Sequence, residues 1–316
     1  MKRIGMILAA SAIFAAGSAF AETRITYKAA KTSSSYYQMA VQIAEAMKKS
    51  SDGNIIVTVE ESQGSVQNVL EASVRQGNYV FTSPPSLVGL AQQGKAMFAK
   101  RPSPRFQEIR ALYPIPSLSM HFVVRADSGV NSFADLAGKK ILIGKGSFGA
   151  KEGAKYIKLF GLEGKVKLAD VELSNAVPAL KNRRIDGFVT SGSFPAPNVI
   201  EAAAGTGVKV LSLSDAEIAK TKRTKVVIPA GTYSGQEQAI TTTSLPVIAY
   251  STTQMDNDTA YAYTKNFWAE KKRMGENAAW WNGVTPDLLA NIKGKIHPGA
   301  LKYYDEAGFK IRDDQR

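Results

Sequence analysis

Cysteine is absent from the 316 residues, and histidine occurs only twice, at His121 and His297. The first absence excludes a disulfide framework and any thiolate-held metal, so stability has to come from packing. The second leaves little for proton transfer or nucleophilic catalysis. No nucleophile elbow, HExxH, P-loop or calcium loop of alternating carboxylates stands in the chain. Asp135 and Asp186 lie in strand–helix connections, where a cap or a turn is the ordinary role of such a residue. No apolar run after the first twenty residues is long enough to cross a bilayer. No long basic block exists either, although the formal net charge is +13. Clusters such as Lys48-Lys49, Lys139-Lys140, Arg183-Arg184 and Lys271-Lys272-Arg273 read as solvated helix faces, which argues against nucleic acid as a partner. These absences lead us to expect no catalytic residue, no metal and no cofactor.

What is present begins with an address. Lys2 and Arg3 precede an alanine-rich apolar run from Ile4 to Phe20, and Ala19-Phe20-Ala21 forms a small-x-small cleavage site before Glu22. This pattern is that of a secretory signal, 1–21, cut after Ala21; an uncleaved anchor is the other reading of the same run. Loss of Lys2 and Arg3 lowers the net charge to +11. Without a cysteine after the run there is no lipid anchor, so the mature chain is expected to be exported and soluble.

Strand and helix patterns then alternate, as in an α/β fold with a parallel or mixed sheet. The spacing predicts strands at 24–27, 55–59 and 79–81, with helices over 36–49 and 66–76. The second series has strands near 121–125, 141–143, 169–173, 187–190 and 208–213, and helices near 132–137, 150–160, 175–184 and 197–204. Residues 217–225 read as a further polar helix, with helices expected at 256–272, at 286–292 and up to about Ala307. Ile109 to Arg125, with Pro114 and Pro116, reads as an extended passage from one domain to another, and Leu245 to Tyr250 as the passage back. The first domain is then discontinuous, 22–117 and 247–316, and the second, 118–246, is inserted in it. The chain has the length for two cores.

The strands end in similar chemistry. After the first come Lys31, Ser33 and Ser35, with Tyr36 opening the helix; the second leads to Ser65 and Val66; the third ends in Thr82 and Ser83. In the inserted domain Gly144-Lys145-Gly146-Ser147-Phe148-Gly149 joins a strand to a helix, and Ser191, Gly192 and Ser193 follow another strand. In an open parallel sheet such ends lie along one edge, where ligands bind. Helix N-termini, glycine turns and hydroxyls are neutral hydrogen-bond donors suited to an anion, and Lys31 and Lys145 can add charge. Each element has a plainer reading: a serine as a cap, a lysine in solvent, Tyr36 in the core, a glycine turn that binds nothing. An interlobe cleft is what joins them.

Several stretches together resemble a known family. These are Ser35-Tyr36-Tyr37, Gln63-Gly64-Ser65-Val66-Gln67-Asn68, Ala111-Leu112-Tyr113-Pro114, Val123-Val124-Arg125-Ala126-Asp127-Ser128-Gly129 and Asp135-Leu136-Ala137-Gly138-Lys139. Ile185-Asp186-Gly187-Phe188, Ile228-Pro229-Ala230-Gly231-Thr232-Tyr233 and His297-Pro298-Gly299-Ala300 complete the set. In this order they are similar to the TAXI class of solute receptors that serve tripartite ATP-independent periplasmic (TRAP) transporters. The resemblance implies a type II periplasmic binding protein of two Rossmann-like lobes on a two-strand hinge. It also implies a monomer that closes on a small anionic solute, of glutamate or dicarboxylate type, and hands it to an ion-driven TRAP permease. Lys31 and Ser33-Ser34 stand where the family commonly has glycines, and Gly146-Ser147-Phe148-Gly149 replaces a GSGT-like turn, so cleft charge and volume differ from the pattern. The rival readings are an ABC-type receptor of similar fold, a periplasmic enzyme on that fold, and an adhesin.

Overall fold

Alternating apolar residues place β1 (Thr23–Lys28), β2 (Ile55–Glu60) and β3 (Tyr79–Ser83) side by side, β1 in the middle and parallel to both neighbours. The computed structural model in which they are seen describes residues 22–316. The expected export signal and its cut lie outside the described residues. Parallel neighbours require crossovers, supplied by α1 (Ser35–Ser50) and α2 (Ser65–Ala72). Helical spacing brings Met39, Ile43 and Met47 of α1 onto the buried face. A third helix, α3 (Pro85–Gln92), follows β3 and was not anticipated; Pro85 occupies its first turn, where a missing N–H costs nothing.

The chain then enters β4 (Ile109–Arg125), the first of two strands that carry it between lobes. The second lobe consists of β5 (Lys140–Leu142), α4 (Phe148–Leu159), β6 (Lys167–Ala169), α5 (Ala176–Lys181), β7 (Gly187–Gly192), α6 (Pro197–Thr206), β8 (Val208–Val210), α7 (Asp215–Thr221) and β9 (Thr224–Ile228). The return strand β10 (Ile240–Thr252) leads to α8 (Asn257–Asn277) and α9 (Pro298–Glu306). Strand order is β2-β1-β3-β10-β4-β7-β5-β6, with β8 beside β4 and β9 beside β10. The α/β class expected from the sequence is therefore present. Two expected helices, 132–137 and 286–292, are short 3₁₀ turns at Ala134–Leu136 and Pro286–Asn291. The expected helix at 217–225 ends at Thr221, because the β-branched run that follows pairs with β10 as β9.

The crossing is where β4 and β10 run antiparallel. Their register slips between the pairs Leu245–Leu118 and Val247–Ile115. Pro116 and Pro246 fall in that interval. Proline has no N–H to give a ladder, so the two strands lose hydrogen bonds at the point where the lobes meet.

Two buried polar groups hold the second lobe. Glu152, 4% exposed on α4, takes a two-pronged contact from Arg223, Nε at 2.6 Å and a terminal nitrogen at 3.0 Å. Lys155 Nζ lies 3.7 Å from the same carboxylate, so loss of Arg223 leaves Glu152 a longer and weaker partner. Arg223→Met should therefore lower unfolding stability by about 2 kcal/mol in urea titration, between the under about 1 kcal/mol of an exposed pair and the about 3 kcal/mol or more of a buried charge left alone.

His121, fully buried on β4, donates from Nδ1 to the Ser119 carbonyl at 3.1 Å, and its Nε2 accepts from the Tyr233 hydroxyl at 2.9 Å. A carbonyl only accepts, which assigns the proton to Nδ1. Burial disfavours the imidazolium and outweighs the Ser119 carbonyl that would favour it, so the pKa falls to about 4. A depressed histidine stabilises the fold above its unfolded pKa of about 6.5 and loses that contribution progressively toward pH 4, in total roughly 3 kcal/mol. Two-dimensional NMR of the two histidines should show His121 unchanged from pH 8 to about pH 5; a midpoint near 6.5 would contradict this environment.

Candidate functional site

The strand ends of both lobes converge on a cleft beside the crossing. Lys31, Tyr36, Ser65 and Thr82 line it from one lobe, and Lys145, Ser147, Phe148 and Ser191 from the other. Ala29, Ala30, Ser34, Gln63, Gly64, Leu118 and Leu173 complete the wall around a cavity of about 40 Å³, which is room for a few atoms. Contact between the lobes is this close because the cleft edges touch. The Ser193 amide donates to Ser35 Oγ at 2.9 Å, and Ser193 Oγ donates to the Ser117 carbonyl on β4 at 2.8 Å. Lys31 Nζ lies 2.8 Å from one oxygen of Glu172 in the facing lobe, and Gln63 Nε2 donates to the other at 2.6 Å.

The hydroxyl-rich loop before α1 divides its labour. Ser34 caps the helix by accepting from the Tyr36 amide, Ser35 bridges the lobes, and the Thr32 amide donates to Glu61 at 2.8 Å. Ser33 Oγ is buried with no protein partner. A single cap would need one serine, and the bridge accounts for a second; Ser33, expected in the site, does not line the cavity. Tyr36 serves both readings offered by the sequence: its ring is 7% exposed and lines the cavity, and its hydroxyl donates to the Pro116 carbonyl at 3.0 Å.

Other expected residues stand behind the wall. Ser83 is fully buried and bonded to the Ser65 carbonyl and the Tyr250 hydroxyl. Val66 packs against the apolar core. Ser147 lines the cleft, but its hydroxyl is turned into its own loop: it donates to the Gly144 carbonyl at 2.6 Å and accepts from the Ala150 amide at 3.0 Å. The sequence offers this hydroxyl as a donor to an anion, and capping α4 absorbs it. Thr82 Oγ1 is bonded to the Tyr27 hydroxyl at 2.8 Å.

Glycines set the approach distance. Gly64, at φ 111°, precedes α2 with no side-chain cap, and its Cα faces Ser147 across the cleft. A Cβ on Gly146 would come 2.9 Å from Gln63 Cβ, and one on Gly192 would come 2.7 Å from Ser35 Oγ. Both neighbours belong to the opposite lobe. Sequence reasoning missed Gln63 and Glu172 as cleft residues; the first sits in the quoted Gln63-Gly64-Ser65 stretch, while the second has no local signal.

Charge is confined to the rim. Hydrogen bonds from Lys31 and Gln63, with the charges of Lys31 and Lys145 in support, hold the Glu172 carboxyl below the usual carboxylate range against the small opposing effect of burial. Both histidines are away from this rim chemistry, since His297 Nδ1 accepts from the Gly299 amide and its Nε2 bonds the Met255 carbonyl. Among the described residues no group of three or more His, Asp or Glu side chains is arranged to hold a metal.

Two α/β lobes joined by paired crossing strands, with a polar cleft between them, define the type II periplasmic binding-protein fold. The chain belongs to the NMT1-like family, whose model matches residues 28–308. Periplasmic binding protein BugD has a TM-score of 0.58 to it at 11% identity, covering 92% of this chain and 99% of its own. A Streptococcus mutans structure concerned with glutathione import via GshT and the cystine ABC importer TcyBC has a TM-score of 0.48 at 14% identity, covering 83% and 96%. A TRAP periplasmic solute-binding protein from Desulfovibrio salexigens, in complex with diglycerolphosphate, has a TM-score of 0.45 at 12% identity, covering 93% of each chain.

Gly192→Ala is the direct test of the interlobe approach. The added methyl has to displace Ser35, so closure should become less favourable by about 1–3 kcal/mol. Small-angle scattering should then report a larger radius of gyration than wild type at an almost unchanged melting temperature; an unaltered radius would show that the Ser35–Ser193 contact does not govern closure.

Proposed function

We propose that this protein is an extracytoplasmic solute receptor that takes a small carboxylated molecule, an amino acid or organic acid of glutamate or dicarboxylate type, into the interlobe cleft. The observation that carries the reading is the convergence of Lys31, Lys145, the hydroxyls of Ser65 and Ser191 and the starts of α1, α2 and α4 from two lobes on one enclosed space. Neutral donors and helix starts stabilise an anion without burying a full ion pair, and the lysines add directionality. Ser33, Ser35, Val66, Ser83, Gly146, Gly192 and Ser193 frame that space or join its walls. In this reading the lobes are 22–117 with 247–316, and 118–246, and they turn about the Pro116 and Pro246 interval. Ligand contacts to both lobes exist together in the closed form alone, so solute shifts the balance toward it.

In this reading, which the TAXI-like stretches support, the partner is a TRAP membrane permease that reads the closed surfaces, with no ATPase. The pattern at 1–21 supports the periplasm as the site of action, after cleavage behind Ala21. In this reading the protein acts as a monomer, and a binding role without turnover fits a cleft that neither histidine lines, each being committed to structural bonds elsewhere.

Ligand-stripped protein screened by thermal shift against organic acids and amino acids should gain melting temperature with a carboxylated solute, by mass action. In calorimetry with that solute, Lys145→Ala should cost about tenfold in affinity, about 1.4 kcal/mol, and Lys31→Ala a similar factor because it also releases Glu172. Unchanged affinity in both variants would refute the charge reading.

A further inference from the structure

Lys31 and Lys145 are the charged residues among those lining the cleft, yet they are not equivalent. Lys31, with its side chain 18% exposed, is held by Glu172 across the lobe boundary at 2.8 Å. The Glu172 carboxylate is itself fixed at both oxygens, by Lys31 Nζ on one and Gln63 Nε2 on the other. Gln63 reaches that oxygen past Gly146, whose missing side chain leaves room for it. Glu61, the other carboxylate at the Lys31 loop, accepts from the Thr32 amide. Lys28, nearer the strand, is buried between Glu60 and Glu71, both at 3.3 Å. Lys145 anchors its amide on the Val171 carbonyl, and its ammonium acts on Glu172 through its charge and not through a direct hydrogen bond such as the one Lys31 makes.

We propose that Glu172 is a specificity-determining residue that counts solute charge: by pairing with Lys31 it offsets one of the two positive charges lining the cleft, and the remaining single charge matches a solute of net charge −1 and disfavours a dianion. The proposal rests on the carboxylate-receptor reading and narrows it. A dianion entering the cleft meets one lysine already neutralised and a fixed carboxylate beside it; it gains one ion pair and suffers like-charge repulsion at short range. A monoanion takes Lys145 and the neutral donors and leaves the Lys31–Glu172 pair intact. Glu172→Gln keeps the size and the hydrogen-bonding reach of the side chain while returning Lys31 to the solute. Because Glu172 is 38% exposed at its side chain on a surface loop, the substitution leaves the cores untouched.

The experiment is calorimetry at pH 7.5 on ligand-stripped wild type, Glu172→Gln and Glu172→Asp, with succinate and glutarate as dianions and their monomethyl esters as monoanions of the same skeleton. Melting curves of the three proteins establish equal folding. Glu172→Gln is expected to raise dianion affinity tenfold or more and to change monoester affinity less than threefold, with Glu172→Asp retaining the wild-type order. Equal weakening of both probe types in Glu172→Gln would mean that the residue is only a clasp between lobes, and an unmoved dianion-to-monoester ratio would mean it is a bystander; either overturns the proposal while leaving the receptor reading standing. Absence of binding by all four probes to every variant overturns the carboxylate reading and the charge count together.

Discussion

The structure depends on how little joins its halves. Two strands, β4 and β10, carry the chain across, and the ladder between them is broken over the interval that holds Pro116 and Pro246. A continuous sheet resists bending because each residue adds a hydrogen bond; two prolines remove donors at the place where rotation has to occur. Next to that interval the Tyr36 hydroxyl and Ser193 Oγ take hold of the Pro116 and Ser117 carbonyls. Backbone acceptors freed from pairing are thus satisfied by side chains of the two lobes, so the crossing is weakened as a ladder without leaving those groups orphaned.

The same economy governs the cleft. Most hydroxyls the sequence supplies there have an internal duty: Ser34 and Ser147 cap helices, Ser35 crosses to Ser193, Thr82 holds Tyr27 and Ser83 holds Tyr250. Such bonds fix the wall and are not themselves exchangeable for solute contacts without cost. The groups left over are few and differ in kind, namely Ser65, Ser191 and the ammonium of Lys145. A cleft with a rigid hydrogen-bonded wall and a short set of uncommitted donors discriminates by position and charge more than by area.

Much of this was legible in the chain. The alternation of strand and helix, the two passages and the hydroxyl-rich strand ends follow from period and composition, and the structure brings Lys31, Tyr36, Ser65, Thr82, Lys145, Ser147, Phe148 and Ser191 to one cavity. What escaped was set by tertiary context. The polar helix expected over 217–225 stops at Thr221, and the β-branched run at 224–228 becomes β9 because β10 offers an edge. No helix was expected directly after the strand at 79–81, yet Pro85 starts α3. The Ser147 hydroxyl was expected as a donor to an anion, and an acceptor three residues earlier, the Gly144 carbonyl, accepts its hydrogen bond instead. Glu172 is one of 27 acidic residues, in a loop without motif, and its role appears only once Lys31 stands opposite.

That pairing changes how affinity has to be understood. A solute entering a cleft whose contacts are already made between its own walls gains only the difference between new bonds and old ones. Ser35 with Ser193, and Lys31 and Gln63 with Glu172, are contacts of the closed arrangement itself, so they favour closure whether or not a solute is present. The ligand's leverage then comes from groups that the walls do not already satisfy, because equal interaction with open and closed forms moves nothing. Stronger wall contacts would hold the cleft shut against entry, and weaker ones would leave the solute to organise both lobes unaided. The partly buried placement of the Lys31–Glu172 pair lies between these extremes, since a half-solvated ion pair gives direction to closure without dominating it.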